Sequence, residues 1–315
     1  MKWLLTARLG ERSGSRNKKA RALRLRGAID ICSNKAKLGG AASHETGCKV
    51  SLSTPKQAAA QALPWGLIDR RPLVIAHRGG ANLWAENSLF GFRQAVRSGF
   101  RDFEIDVHGT RDGELVVIHD ATIDRTTNGH GQVRDLNLHQ LRAFQLTGTD
   151  ETVPLLRDVL AFFRDHGARA IVEVKFSTSL PDHDDFCRAL VDEVVGAGML
   201  PYVTVSAFSW ESLQRLQNFC PSLGLTAVLS ARELRERGGI HSVAAQAVEL
   251  GAADLGLEWT AATRNAAEVL HRSGMRLGVW TPNETEEIVE LASRGVDWVI
   301  TDSPDVALDA LETLQ

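Results

Sequence analysis

From about residue 71 to the end of the chain, short runs rich in Val, Ile and Leu alternate with segments whose apolar residues recur at helical spacing. Such runs are typical of buried strands, and strands separated by helices pair in parallel. Setting aside residues 114–119, we count eight strands over about 245 residues. This α/β pattern predicts a (β/α)8 TIM barrel. A doubly wound sheet is less favoured, because no Gly-x-Gly-x-x-Gly follows the first strand.

The boundaries of the predicted elements follow from the apolar periodicity and from turn residues between the runs. The predicted strands are 73–76, 103–107, 170–174, 203–206, 224–229, 254–257, 276–280 and 297–300. The predicted helices are 87–98, 138–144, 156–163, 185–195, 210–217, 242–250, 261–272, 284–293 and 305–314.

The first 60 residues have a different composition, with 13 Lys or Arg against 3 Asp or Glu and no sustained period. We expect residues 1–65 to be a disordered basic extension and residues 66–315 to be the folded domain. The opening resembles a secretory signal but lacks an apolar core of roughly 7–15 residues, and its Arg- and Ser-rich character also resembles an organelle transit peptide. We prefer an unstructured extension, or a start site placed too far upstream.

The net charge of −3 gives no general attraction to nucleic acid or membranes, and the basic segment lacks interleaved aromatic residues. No apolar run approaches the roughly 18 residues that cross a bilayer, so we expect no stable membrane insertion. The four cysteines have neither paired nor metal-like spacing, which predicts reduced thiols and a cytoplasmic location. They are Cys32, Cys48, Cys187 and Cys220. The oligomeric state stays open.

Titratable side chains stand repeatedly at the ends of the predicted strands. His77 follows the first strand, Glu104 and Asp106 lie on the second, and Glu173 and Lys175 close the third. In a barrel the active site lies at the carboxyl ends of the strands, where these side chains would meet. Polar or aromatic residues take the same position on later strands: Ser206, Glu258, Trp280 and Asp302.

Residues two apart on a strand face the same side, so Glu104 and Asp106 point together, as do Glu173 and Lys175. Three inward carboxylates suit a hard cation such as Mg²⁺ or Ca²⁺, which prefers oxygen ligands. They suit zinc less well, since no Cys or His cluster accompanies them. The alternative is a set of ion pairs among the same carboxylates and Lys175 in the barrel mouth.

His77 and His119 are candidates for a general base and a general acid, because imidazole titrates near neutral pH. Arg78 and Lys175 would bind phosphate, the first by forked hydrogen bonds and the second as a point charge. Trp280 is either an apolar wall for a substrate or an ordinary core residue. The other histidines that we considered are expected in loops or helices, where surface roles suffice: His108, His130, His139, His183, His241 and His271.

An ordered set of motifs across residues 71–312 resembles the glycerophosphodiester phosphodiesterases. These motifs are His77-Arg78-Gly79, Glu86-Asn87-Ser88, Glu104-Ile105-Asp106, Asp112-Gly113, His119-Asp120, Arg125-Thr126-Thr127-Asn128-Gly129-His130-Gly131, Glu173-Val174-Lys175, Ser206-Ala207-Phe208, Trp280-Thr281-Pro282-Asn283 and Thr301-Asp302-Ser303-Pro304. Ser88 replaces the usual Thr and keeps the hydroxyl, and Pro282 stands where Val is common.

The resemblance implies a barrel that hydrolyses glycerophosphodiesters to sn-glycerol 3-phosphate and an alcohol with a divalent cation. It implies metal ligands at the matched carboxylates, acid–base roles for the two histidines, and phosphate binding by Arg78 and Lys175. The matched metal ligands are Glu104, Asp106 and Glu173. Two alternatives remain: a phospholipase D-like lipid phosphodiesterase on the same barrel, and a barrel that binds phosphodiesters without catalysis.

Overall fold

The computed structural model describes residues 71–175 and 183–314, all of which lie in one compact unit, Leu52–Gln315. The predicted basic extension, residues 1–65, lies outside the described residues, together with Cys32 and Cys48. Cys187 and Cys220 are buried free thiols, as their spacing predicts.

Eight parallel strands form a closed ring, in which the last strand returns to pair with the first. The strands in chain order are β1 Leu73–His77, β2 Asp102–Gly109, β3 Leu115–Val117, β4 Arg169–Val174, β5 Val203–Ala207, β6 Gly224–Leu229, β7 Asp254–Glu258, β8 Arg276–Trp280 and β9 Trp298–Thr301. Strand β3 pairs antiparallel with the end of β2 and stands outside the ring. The predicted (β/α)8 barrel is therefore confirmed, including the separate status of residues 114–119.

Ten α-helices are described, and they run between or follow the strands. They are α1 Leu89–Arg97, α2 Leu138–Leu141, α3 Leu156–Asp165, α4 His183–Gly196, α5 Trp210–Phe219, α6 Ala231–Glu236, α7 Ile240–Leu250, α8 Arg264–Arg272, α9 Thr285–Arg294 and α10 Pro304–Glu312. Helix α6 was not predicted from the sequence. None of its residues is buried, so it lacks the apolar stripe by which helices are recognised. Helix α8 begins three residues later than predicted, where the side chain of Thr263 accepts from the Ala266 amide.

The barrel interior has an apolar layer in its middle, with charged residues toward the carboxyl ends of the strands and ion pairs such as Asp254–Arg276 at the amino ends. Ile75, Ile171, Trp298 and Ile300 form a separate apolar cluster inside the ring. Alternate residues of the same strands face outward into the larger core beneath the helices, which includes Phe103, Ile105 and Val172. This apolar layer separates the amino ends of the strands from their carboxyl ends, where the active sites of such barrels lie.

Trp298 closes the barrel because the facing strand provides a glycine beside it. Gly278 is in register with Trp298, and a Cβ atom on Gly278 would lie 1.9 Å from Cε2 of the indole. The indole Nε1 donates to Asp254 Oδ1 over 3.3 Å, and Asp254 is itself bound at 2.6 and 2.8 Å by Arg276. The Trp298 indole is thus held in place by Asp254 and lies beneath the charged residues of the barrel mouth.

We predict that Gly278→Ala destabilises the protein by about 1–3 kcal/mol, because the added methyl group overlaps the buried Trp298 ring, which would have to shift. Gly196→Ala is the matched control, since a Cβ there meets nothing within 4 Å at the end of α4. It should be neutral or stabilise by up to about 1 kcal/mol. Urea unfolding of both variants measures the difference, and equal midpoints would contradict the close fit at Gly278.

Candidate active site

The turn after β1 brings His77 and Arg78 to the barrel mouth. Arg78 adopts a left-handed backbone, with a φ angle of 52°, and Gly79 follows with a φ of 91°. A Cβ atom on Gly79 would lie 2.9 Å from the Phe92 ring, so the turn can pack on α1 only with glycine there. Left-handed conformations of non-glycine residues concentrate at functional sites, where surrounding contacts hold them.

Three carboxylates meet where β1, β2 and β4 run side by side. His77 is in register with Glu104, and Asp106 with Glu173. Glu104 and Asp106 are buried, and one oxygen of each of the three carboxylates lies within 4.8 Å of the others. Glu104 Oε1 and Asp106 Oδ1 accept no hydrogen bond, although Lys175 Nζ lies 3.1 Å from the second.

The charges at this cluster are only partly balanced. Burial raises the pKa of Glu104 well above its usual range, and the neighbouring Asp106 and Glu173 charges raise it further. Burial also raises the pKa of Glu173. Burial works in the same direction on Asp106, but Lys175 and Arg78 hold the pKa of that carboxyl below its ordinary value. Ion pairs with Lys175 therefore exist, as the alternative interpretation of the sequence expects, yet they leave Glu104 Oε1 buried without a hydrogen-bond partner.

Asn87 supports the cluster from beneath, a role that the sequence did not reveal. Its Nδ2 donates to Asp106 Oδ2 over 2.8 Å, and its Oδ1 accepts from the Asp106 amide over 3.4 Å. These bonds fix one Asp106 oxygen and leave the other facing Lys175. Asn87 is buried and has a φ angle of 51°, a conformation that asparagine tolerates better than most residues.

His77 is held by Asp302, which follows β9, the strand that pairs with β1. Its Nδ1 lies 2.6 Å from Asp302 Oδ1, and Asp302 also accepts from Asn283 Nδ2 over 3.1 Å. Arg78 Nε donates to His77 Nε2 over 3.2 Å. A nitrogen that accepts a hydrogen bond must carry a lone pair, so these contacts fit the tautomer with the proton on Nδ1.

His119, which lines the same cavity as His77, also has an acidic partner on Nδ1. Its Nδ1 lies 2.7 Å from Asp120 Oδ1, and Arg125 Nε donates to Asp120 Oδ2 over 2.7 Å. Burial lowers the pKa of the His119 imidazole. His108, which we expected in a loop or helix with a surface role, is instead on β2, where its Nε2 lies 3.0 Å from the His119 carbonyl oxygen. That prediction was wrong because the strand extends to Gly109, past its apolar run.

A cavity of about 190 Å³ joins these groups and brings seven of the eight predicted site residues together. Its charged or titratable lining consists of His77, Arg78, Glu104, His119, Glu173 and Lys175. Asp106, the eighth, lies in the carboxylate cluster. The opposite wall is apolar and includes Phe208, Val228, Trp280, Trp298 and Ile300. Trp280 thus lines the cavity, and its ring meets Phe208 edge to face at 5.4 Å between centroids.

Glu258 shows that a polar residue at a strand end need not face the cavity. Its carboxylate accepts from the Ala231 amide over 2.9 Å and from the Thr260 hydroxyl over 2.9 Å. It therefore binds the first residue of α6. The motifs contain Glu86, Asp120, Arg125 and Asp302 but assign no individual role to any of them. Two of the contacts that define these roles join residues far apart in the chain, Glu86 with Arg125 and His77 with Asp302, whereas Asp120 binds residues close to it in sequence.

The glycerophosphoryl diester phosphodiesterase family model matches residues 77–306, which include every side chain of the cavity. The chain belongs to this family. Membership confirms the resemblance seen in the motifs and the predicted enzyme class, a phosphoric diester hydrolase.

The matches to curated relatives and to solved structures each cover about three quarters or more of this chain and nearly all of the other protein. A glycerophosphodiester phosphodiesterase of Caldanaerobacter subterraneus is 28% identical over 245 residues, 76% of this chain and 97% of that protein. The putative glycerophosphodiester phosphodiesterase YhdW of Bacillus subtilis is 30% identical over 247 residues, 74% of this chain and 95% of that one. A putative phosphodiesterase structure from Silicibacter pomeroyi has a TM-score of 0.72 at 23% identity and covers 83% of this chain and 98% of its own.

One further structure contains a bound product. An Oleispira antarctica phosphodiesterase, solved in complex with the product sn-glycerol-3-phosphate, has a TM-score of 0.68 at 22% identity. It covers 77% of this chain and 97% of its own. At this identity the two structures establish a shared fold. Among the residues that the structure describes, no helix combines the length and the apolar composition needed to span a bilayer.

The raised pKa of Glu104 makes a prediction about stability. In chelator, the folded protein keeps a proton on Glu104 at pH values above 4.5 where the unfolded chain has released it, so stability should fall as the pH rises from about 5. Glu104→Gln removes this proton uptake and should make the fall shallower. Melting temperatures from pH 5 to 8 test this, with Glu268→Gln as the control because that carboxylate is exposed on α8. Identical slopes for wild type and Glu104→Gln would contradict the assignment.

Proposed function

We propose that the chain hydrolyses glycerophosphodiesters to sn-glycerol 3-phosphate and an alcohol with the help of Mg²⁺ or Ca²⁺. One observation carries the proposal: His77 and His119, each with a carboxylate partner on Nδ1, line one cavity beside the cluster of three carboxylates. Family membership supports the bond that is cleaved. The product bound to the Oleispira antarctica relative supports sn-glycerol 3-phosphate as the phosphorylated product of the reaction.

The cation would be held by Glu104, Asp106 and Glu173. Glu104 Oε1 fits this role, since a buried carboxylate oxygen is costly without a partner and hard cations take oxygen ligands. Asp106 Oδ1 also accepts no hydrogen bond and has only the Lys175 ammonium beside it. A bound divalent cation would neutralise phosphate charge and make phosphorus more electrophilic. Arg78 and Lys175, which now pair with the carboxylates, would bind the remaining phosphate oxygens.

The histidines divide the proton transfers of the reaction. His77, with its lone pair on Nε2, would take a proton from the attacking water while the new phosphorus–oxygen bond forms. His119 would donate a proton to the alcohol oxygen while the old phosphorus–oxygen bond breaks. Asp302 and Asp120 keep each ring oriented through Nδ1 and stabilise its charged form.

The size of the cavity favours a small phosphodiester over a lipid as the substrate. Its volume of about 190 Å³ is below the roughly 300–1,000 Å³ of pockets that take drug-sized ligands. The apolar wall around Phe208 and Trp280 favours a second candidate, a phospholipase D-like lipid phosphodiesterase. We propose residues 66–315 as the catalytic domain, with a cytoplasmic location and no need for the basic extension.

Turnover and metal dependence are the first test. With Mg²⁺ or Ca²⁺, the full chain should release sn-glycerol 3-phosphate from glycerophosphocholine faster than it cleaves lysophosphatidylcholine. Excess chelator should abolish the reaction, and readdition of the cation should restore it, because the carboxylates alone repel the phosphate. Preference for the lipid would favour the second candidate. An inactive chain would indicate a binding barrel, and full activity in chelator would contradict the metal role.

The two histidines should differ in how they depend on the leaving group. General acid or base help is worth roughly 10²–10⁴-fold, but a nitrophenolate leaves without a proton. His119→Ala should therefore lower kcat/KM on glycerophosphocholine and cost little on the 4-nitrophenyl ester of glycerol 3-phosphate. His77→Ala should cost the same on both. If His77→Ala is instead the variant spared on the nitrophenyl ester, the two roles are reversed.

A further inference from the structure

Arg125 joins two loops that meet at the mouth of the cavity. Its Nη1 and Nη2 donate to the two Glu86 oxygens over 2.7 and 2.8 Å, and Glu86 lies in the loop between β1 and α1. Its Nε and Nη2 also donate to the two Asp120 oxygens over 2.7 and 3.1 Å. One guanidinium therefore binds two carboxylates bidentately, a geometry that lysine cannot reproduce.

Each of these carboxylates has a second partner that faces the cavity. Asp120 binds His119 Nδ1 at 2.7 Å, and Glu86 accepts from Arg78 Nη1 over 3.1 Å. A continuous path of ionic hydrogen bonds thus runs from His119 through Arg125 to Arg78. Arg78 in turn lies 3.2 Å from both Asp106 and His77.

We propose that Arg125 is a positioning residue, which fixes the proton-donating His119 relative to the phosphate-binding Arg78 by holding Asp120 and Glu86 together. The inference rests on the proposed function, because it assigns Arg125 a role in that same reaction. Arg125 itself lines no part of the cavity, so it acts only through its two carboxylate partners.

A merely structural role makes a different prediction. The Arg125 side chain is 47% exposed, and exposed ion pairs typically contribute up to about 1 kcal/mol to stability. Such a pair could be lost with little effect on turnover. A pair that sets the geometry of reacting groups has a larger effect, since a misplacement of about 1 Å can cost on the order of 100-fold in rate.

The test uses Arg125→Lys, which keeps the charge and loses the fork. Arg215→Lys is the matched control, because Arg215 also bridges two carboxylates, Asp184 and Glu211, on the outer helices α4 and α5. Both variants and wild type are assayed with the divalent cation on glycerophosphocholine and on the nitrophenyl ester, and their melting temperatures are measured in parallel.

We expect Arg125→Lys to lose at least about tenfold more kcat/KM on glycerophosphocholine than on the nitrophenyl ester, because the first needs a well-placed proton donor. Asp120→Asn should lower kcat/KM on glycerophosphocholine more than on the nitrophenyl ester, mainly by lowering kcat. Glu86→Gln should lower kcat/KM equally on both substrates, mainly by raising KM. Guanidinium salt, but not ammonium salt, should partly rescue Arg125→Ala.

If wild type hydrolyses both substrates and Arg125→Lys behaves like Arg215→Lys, the inference is overturned while the proposed function stands. An equal loss on both substrates overturns it as well. A wild type that is inactive on both overturns the proposed function and the inference with it. Should Arg125→Lys fail to fold, Asp120→Asn and Glu86→Gln decide the outcome. The inference is overturned if Asp120→Asn shows no substrate-dependent loss or if Glu86→Gln shows no loss common to both substrates.

Discussion

The repulsion among three carboxylates on β2 and β4 is the constraint around which the site is built. Moving such charges out of water is expensive unless opposite charges or ligands replace the lost solvation. Lys175 and Arg78 supply part of that compensation and hold Asp106 ionised, but the pKa of Glu104 remains raised. We expect a cation and the anion that accompanies it to supply the rest of that compensation.

The rest of the barrel serves to keep that arrangement fixed. Trp298 closes the interior from below and Asn87 orients Asp106 from behind. Each histidine has an acidic partner on Nδ1, the distant Asp302 for His77 and the adjacent Asp120 for His119. The groups to which we assign the chemistry thus come from several strands, while their orientation depends on contacts of the loops that follow those strands. For this reason a motif on one strand suggests which groups could react but does not predict how those groups are oriented.

Local pattern was enough to predict the ring of strands, because an apolar run followed by an amphipathic helix recurs along the chain. The side chains at strand ends were predictable for the same reason, since alternate residues on a strand share a face. Three features were not predictable in this way. Helix α6 has no buried face, Glu258 turns to bind the Ala231 amide, and the fork of Arg125 depends on loops 39 residues apart.

The central claim is that the clustered carboxylates hold a divalent cation on which a phosphate is bound. Crystals grown with Mn²⁺ and sn-glycerol 3-phosphate would test it through the anomalous signal of manganese. The account predicts one strong peak in contact with Glu104, Asp106 and Glu173, with the phosphate beside it against Arg78 and Lys175. Bound phosphate with no manganese at these carboxylates, or manganese bound only elsewhere, would contradict it.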